Sequence, residues 1–234
     1  MKAIFKRELK AYFTSPIGYI FIGVFAFIYG YYFDTSVIQS GIGDISTPLG
    51  SSLLILVLLV PVLTMRLIAE ERGNKTDQLL LTAPVSVHSI VLGKLFAALC
   101  VFLIAMATTL PYLGIIIVHG APQWGKVIGT YIGFALLGLC FISIGLFFSS
   151  ITESQIIALV VSLGVLLMFF LMANLPSVGI GLLDKAIALV SVTEHFEDFV
   201  IGVLKIENIF YYLSFSVLFI FLTVRSVEKR RWAN

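Results

Sequence analysis

Residues 120–126, Gly-Ala-Pro-Gln-Trp-Gly-Lys, carry the opening positions of a phosphate-binding loop, in which backbone amides and a lysine cradle a nucleotide's phosphates. Val127 stands where such a loop needs Ser or Thr to hold magnesium, and no strand precedes it, so the chain carries no nucleotide-hydrolysing domain. Paired glutamates such as Glu70-Glu71 could act on a substrate in a Glu-Glu-x-x-x-Arg arrangement, but position 75 is Lys75. His88, His119 and His195 are too far apart for metal-ligand spacing. Cys100 and Cys140 are single residues inside apolar runs and read as packing groups rather than a redox pair. No catalytic constellation remains, and no metal or substrate-binding residue can be named.

The elements that carry these residues follow from composition. Hydrophobic residues make up 59% of the 234 and charged ones only 12%, against roughly 25% charged in soluble domains. A water-facing surface cannot be built from that mixture, whereas a lipid-facing one can. Charge-free runs occupy 11–33, 45–65, 95–125, 127–152, 154–183 and 208–224, and about 17 to 25 residues cross the hydrocarbon as a helix. They predict six spans, over 17–33, 48–69, 90–118, 127–149, 155–175 and 208–225. A shorter run, 78–93, holds Thr82, Pro84, Ser86, His88 and Ser89 and reads as a loop with a short helix. The runs do not alternate apolar with polar, so a β-barrel does not fit and the expected fold is all-α.

Lys and Arg are retained on the cytoplasmic side of a membrane. With both termini inside, the inner segments carry Lys2, Lys6, Arg7, Lys10, Arg66, Arg72, Lys75, Lys94, Arg225, Lys229, Arg230 and Arg231, and the outer ones only Lys126, Lys185 and Lys205. Tyr29, Tyr31, Tyr32, Tyr211 and Tyr212 would then form an outer aromatic belt. None of the six runs contains the Asp, Glu, His or Lys relay of an ion-coupled carrier, so the driving force is expected from outside this chain.

Residues 1–15 place Phe5, Leu9, Tyr12 and Phe13 on one helical face with Lys2, Lys6 and Lys10 along its edge. That pattern predicts an interfacial helix on the inner leaflet, its lysines reaching lipid phosphates, ended by Ser15-Pro16. No small-residue cleavage site follows, so a signal peptide is not expected. In the inner loop 66–94, Asn74 and Asp77 can cap a short helix that carries Leu79, Leu80 and Leu81 and stops at Pro84. Those leucines need cover, either from this chain's own spans or from a cytoplasmic subunit. In the outer segment 176–207, Val192, Phe196, Phe199, Val200 and Val203 lie at helical spacing opposite Glu194, Glu197 and Asp198, as in a short helix dipping into or lying on the outer leaflet. Gly125, Gly129 and Gly133 form a stripe that allows close helix approach, whether within the bundle or at a subunit interface.

Taken in order, these segments resemble a family. Residues 61–72, Pro-Val-Leu-Thr-Met-Arg-Leu-Ile-Ala-Glu-Glu-Arg, followed by Thr76, by 79–86 and by 90–94, are similar to the second span, coupling helix and third-span start of ABC-2 type permeases. Residues 149–156, His195-Phe196, Gly202 and the closing 228–232 resemble the gliding-motility-type branch, which does not itself imply gliding. The resemblance implies a six-span exporter half in a bacterial inner membrane, with a coupling helix over 73–84 and broken re-entrant helices after the fifth span. It implies pairing with a second permease subunit, alike or related, and with cytoplasmic ABC ATPase subunits that hold the ATP and magnesium; membrane lipids are partners and nucleic acid is not. Glu70, Glu71, Arg72, Thr76, Leu79, Leu80, Leu81 and Thr82 are the residues expected to couple to the ATPase. The chain departs from the family at Lys75-Thr76-Asp77-Gln78, where Gly-Thr-x-Glu is common. An ATPase-independent carrier or channel, and a non-transporting scaffold, remain the alternative functions.

Overall fold

The first corner of the chain falls at Ser15. In the computed structural model, which describes residues 1–41, 43–76, 85–119, 122–172 and 191–233, helix α1 (Lys2–Thr14) stops where Ser15 turns extended. Pro16 then opens α2 (Pro16–Phe33), a position where its missing N–H and fixed φ suit a helix start. The corner is tight, since a Cβ on Gly18 would lie 2.7 Å from the Tyr12 carbonyl oxygen. Helix α2 runs on as a π-helical turn, Asp34–Ile38.

The span expected over 48–69 is not one helix. It comprises α3 (Ser46–Ser51), α4 (Leu53–Thr64) and α5 (Ala69–Gly73), with turns over 65–68. The next expected span is also interrupted. Helix α6 (Val87–Ala107) is capped by Ser86, whose hydroxyl accepts from the Ser89 amide, and α7 (Leu110–His119) follows a turn at Thr108-Thr109. Both threonine hydroxyls bond back to carbonyls three residues earlier, at 2.6 and 2.7 Å, offering the backbone a turn in place of the helical ladder. Then come α8 (Trp124–Ile151), α9 (Gln155–Met172), α10 (Glu194–Ile201) and α11 (Ile206–Ala233). Six helical segments are long and apolar enough to cross a membrane, and no strand occurs among the described residues.

Helix α8 is the centre. Its most apolar window is 67% buried inside the bundle, against 17% for α9, 22% for α11 and 28% for α2. Small residues let its neighbours approach closely. Where α8 meets α6 it presents Gly138 to the Phe102 ring, and where it meets α4 it presents Gly145 to Thr64, leaving no room for a Cβ at either point. Within lipid there is no hydrophobic drive to bring helices together, so close van der Waals approach and interhelical hydrogen bonds must do so. The outer helices α2 and α9 instead present Phe27, Ile156 and Val160 outward, as a lipid-facing surface does.

At the far end of the bundle, the stretch around α10 turns only part of its apolar side outward, with Val203 exposed and Val200 half-buried. Val192, Phe196 and Phe199 are buried, and Phe199 lies over Gly129 and Gly133, where added Cβ atoms would come within 2.9 Å of the Phe199 carbonyl oxygen and 2.6 Å of its Cβ. Gly202, at φ +90°, closes α10: its amide donates to Phe199 and that of Val203 to Asp198, a Schellman end that a glycine adopts without strain. Two of the three stripe glycines, Gly129 and Gly133, are thus covered by a short helix of the same chain, while a Cβ on Gly125 would meet open space. The His195-Phe196…Gly202 pattern corresponds to this element, in which His195 stacks on Tyr211 with ring centroids 4.0 Å apart.

Candidate functional site

At the end of the bundle that holds α1, the chain leaves the broken α4 and passes through 65–76 toward the leucine segment. That passage is fastened to several neighbours. The break over 65–68 frees backbone groups, and one side chain takes up three of them. Ser149, near the end of α8, accepts from the Ile68 and Ala69 amides, both at 3.0 Å, and donates to the Met65 carbonyl at 3.0 Å. One donor and two lone pairs are all that a hydroxyl has. Ser149 therefore spends its whole hydrogen-bonding capacity on the break.

Beneath the break lies a buried ion cluster. Lys94, on α6, is 1% exposed. Its ammonium contacts Glu8 Oε1 of α1 at 3.1 Å, Glu71 Oε2 of α5 at 2.9 Å and the Leu67 carbonyl at 2.5 Å. Three acceptors match the three hydrogens of an ammonium. Arg7 joins the two carboxylates from the other side, donating to Glu8 at 2.7 Å and to Glu71. Two cations and two anions cancel, which such burial requires. Burial alone would push the Glu8 carboxyl up, but Lys94 and Arg7 outweigh it and hold the group below its ordinary value. Burial likewise works against the Arg7 charge, and Glu8 and Glu71 together more than restore it.

Two further clamps complete the junction. Arg66 donates to the Ser15 hydroxyl at 2.7 Å, lies 5.0 Å from the centre of the Tyr12 ring and approaches Glu70 at 3.7 Å. Tyr12 donates to the Leu63 carbonyl at 2.7 Å, and burial pushes its hydroxyl pKa up, so it stays a donor. On the opposite side Arg72 donates to the Ser150 carbonyl, and a Cβ on Gly73 would lie 2.8 Å from the Glu153 carbonyl oxygen. Ser226 of α11 reaches the same Ser150 carbonyl at 3.2 Å, and Arg230 pairs with Glu153. The passage from α4 to α5 thus touches α1, α6, the α8–α9 turn and, through that turn, α11.

Of the residues singled out from sequence, the structure brings Glu71 and Arg72 into this junction, leaves Glu70 at its rim, and places Thr76 as a cap whose amide donates to the Glu71 carbonyl at 2.9 Å. Leu79, Leu80, Leu81 and Thr82 lie outside the described residues. Lys75 has φ +57°, in the left-handed region where glycine is at ease and other residues are strained. That accounts for the glycine common here in the resembled family.

Glu8, Lys94 and Ser149 were not singled out for this site by sequence. Glu8 carried a signal, since it follows Phe5 by three and precedes Tyr12 by four, placing a carboxylate on an otherwise apolar stripe. Lys94 sits among Val87, Val91, Leu95 and Ala98 on the buried face of α6.

The arrangement ties α1, α5, α6 and α8 together by ion pairs and hydrogen bonds within a helical bundle that has six segments long and apolar enough to cross a membrane. The sequence profile described as ABC-2 family transporter protein matches residues 2–230, and the chain belongs to that family. It is a permease component of an ABC transporter, a class that generally works with ABC ATPase subunits. A search among curated proteins returns no match.

Proposed function

We propose that this chain is the membrane half of an ABC exporter of the gliding-motility type, with both termini cytoplasmic, and that 73–84 is its coupling helix. A separate ATPase subunit holds ATP and magnesium and docks on that segment. Closure of two ATPases then moves 73–84 and opens an outward path between two permease halves. The observation that carries the reading is the junction: the chain entering 77–84 is fastened by Ser149, Lys94 and Arg72 to α8 and α6, and through Glu8 to α1, so displacement there is shared by the spans. Glu71 and Arg72 act in this scheme by positioning the segment rather than by touching the ATPase. An uncharged aromatic interior, with Tyr29 and Phe33 against Tyr112 at 5.3 and 4.8 Å, supports an amphipathic or lipid-like cargo.

The double variant Leu79→Glu, Leu80→Glu tests the assignment. An apolar face left in water forgoes roughly 1.5 to 3 kcal/mol for each large side chain, so these leucines are expected to sit in a groove of the ATPase. Permease abundance should be unchanged while co-purified ATPase falls or its hydrolysis uncouples from transport. Loss of the permease itself would mean that the leucines pack on its own spans. Normal ATPase recovery with normal transport would exclude the coupling role.

A further inference from the structure

Between α1 and α6 a groove of 420 Å³ opens on the outer surface of the bundle, within the roughly 300 to 1,000 Å³ of small-molecule sites. Phe96, Leu99, Cys100 and Leu103 form its floor at the i, i+3, i+4, i+7 spacing of one helix face, Phe5 forms a wall, and Met1 and Lys2 stand at its mouth. Phe96 and Leu103 are 39% and 40% exposed on a helix otherwise rich in buried positions. Helix α1 is drawn close to α6 at this end because Gly93 leaves room for Ile4, 3.1 Å from where a Cβ would stand.

The charge beside the groove is one-sided. Lys2 and Lys6 are exposed, one helical turn apart, and neither has an ion-pair partner among the described residues. The single acid of α1, Glu8, points the other way into the Lys94 cluster. An apolar trough with a cationic mouth, beside an amphipathic helix at a membrane surface, matches a ligand with a hydrocarbon tail and an anionic head. We propose that this groove is a binding site for an anionic phospholipid, one acyl chain lying along α6 and the phosphate at Lys2 and Lys6. The site needs only that α1 lie at a membrane surface, so it stands independently of the coupling scheme.

Quenching by brominated lipid tests it in the full chain reconstituted in vesicles. In a background with Trp124→Phe and Trp232→Phe, one reporter is Phe96→Trp in the groove and the other Val160→Trp on the exposed face of α9. Vesicles mix phosphatidylglycerol and phosphatidylcholine, with either one brominated. A juxtamembrane lysine favours an anionic lipid by about fivefold. Preference for phosphatidylglycerol at position 96 should exceed that at position 160 by at least about that factor. Lys2→Gln with Lys6→Gln should remove the excess at 96 and leave 160 unchanged. Equal preference at both positions, or an excess that survives the lysine changes, would reduce the groove to ordinary boundary lipid and overturn the proposal. Absence of quenching at 96 by either lipid would overturn it in favour of cover by a second copy of the chain.

Discussion

The two ends of this bundle are closed by different balances of charge and shape. At the α1 end, a broken helix is held by a quartet of charges, with Lys94 and Glu8 buried and Arg7 at the surface, and by hydrogen bonds that exhaust Lys94 and Ser149. At the α10 end, a short helix is seated mainly by shape, with Phe199 filling the space that Gly129 and Gly133 leave vacant, and pinned by hydrogen bonds from Thr130 to the Phe199 carbonyl and from Tyr212 to the Val192 carbonyl. Shape fixes position with little sensitivity to protonation or salt. A polar joint is directional, and loses its hold when any one partner is removed. The end expected to receive force is the one built from directional contacts.

The sharpest way to break this contrast is Lys94→Met. It leaves Glu8 and Glu71 buried without their ammonium, and removal of one partner from a buried ion cluster costs roughly 3 to 5 kcal/mol. Thermal denaturation of the purified permease should register that loss, and adding Glu8→Gln and Glu71→Gln should recover most of it. A cost below about 1 kcal/mol, the usual value of an exposed pair, would mean that the cluster is solvated.

At the other end, Gly133→Leu drives a side chain into Phe199 and should cost about 1 to 3 kcal/mol, the usual penalty of overpacking. Phe199→Ala in the same chain should offset part of it, because the two side chains compete for one volume. Strict additivity of the two changes would show that α10 is not seated there.

The α1 end should also respond to acid. The Glu8 carboxyl is held below its ordinary value of 4.5. Its contribution is therefore fully present above that pH and is lost as pH falls below 4.5 through the folded value. Melting temperature should decline over that window, and Glu8→Gln should flatten the decline while lowering stability at neutral pH. An unchanged profile would remove Glu8 from the joint. The smallest expected effect is at Lys75. Lys75→Gly relieves a left-handed residue, and should stabilise the α5 end by roughly 0.5 to 1 kcal/mol, seen as slower hydrogen exchange at Thr76.

Much of the architecture was legible in the sequence because charge-free length is a property of single segments. The six spans, the corner at Pro16 and the helical nature of 192–203 could all be read within a local window. What escaped depends on pairs. Lys94 and Glu8 are 86 positions apart and Ser149 and Ile68 81, so no window holds both partners, and hydropathy scores Lys94 only as the edge of a run. The break over 65–68 escaped for the same reason: its backbone groups are satisfied by a serine four elements downstream. The inward side of α10 escaped because an apolar face suits a leaflet and a bundle equally well. Only the vacancy at Gly129 and Gly133 decides between them.

The enclosure of α8 governs how freely this sequence can diverge. Gly138 can grow only if Phe102 shrinks, Gly145 only if Thr64 does, and Gly133 only with Phe199, so substitutions along the central helix must arrive as matched pairs or be lost. The lipid face of α9, with Ile156, Ile157 and Val160 open to the surroundings, can exchange one aliphatic side chain for another without any partner changing. Among descendants of this chain, drift should collect on α9 and on the outer face of α2, while α8 and the residues that meet it covary.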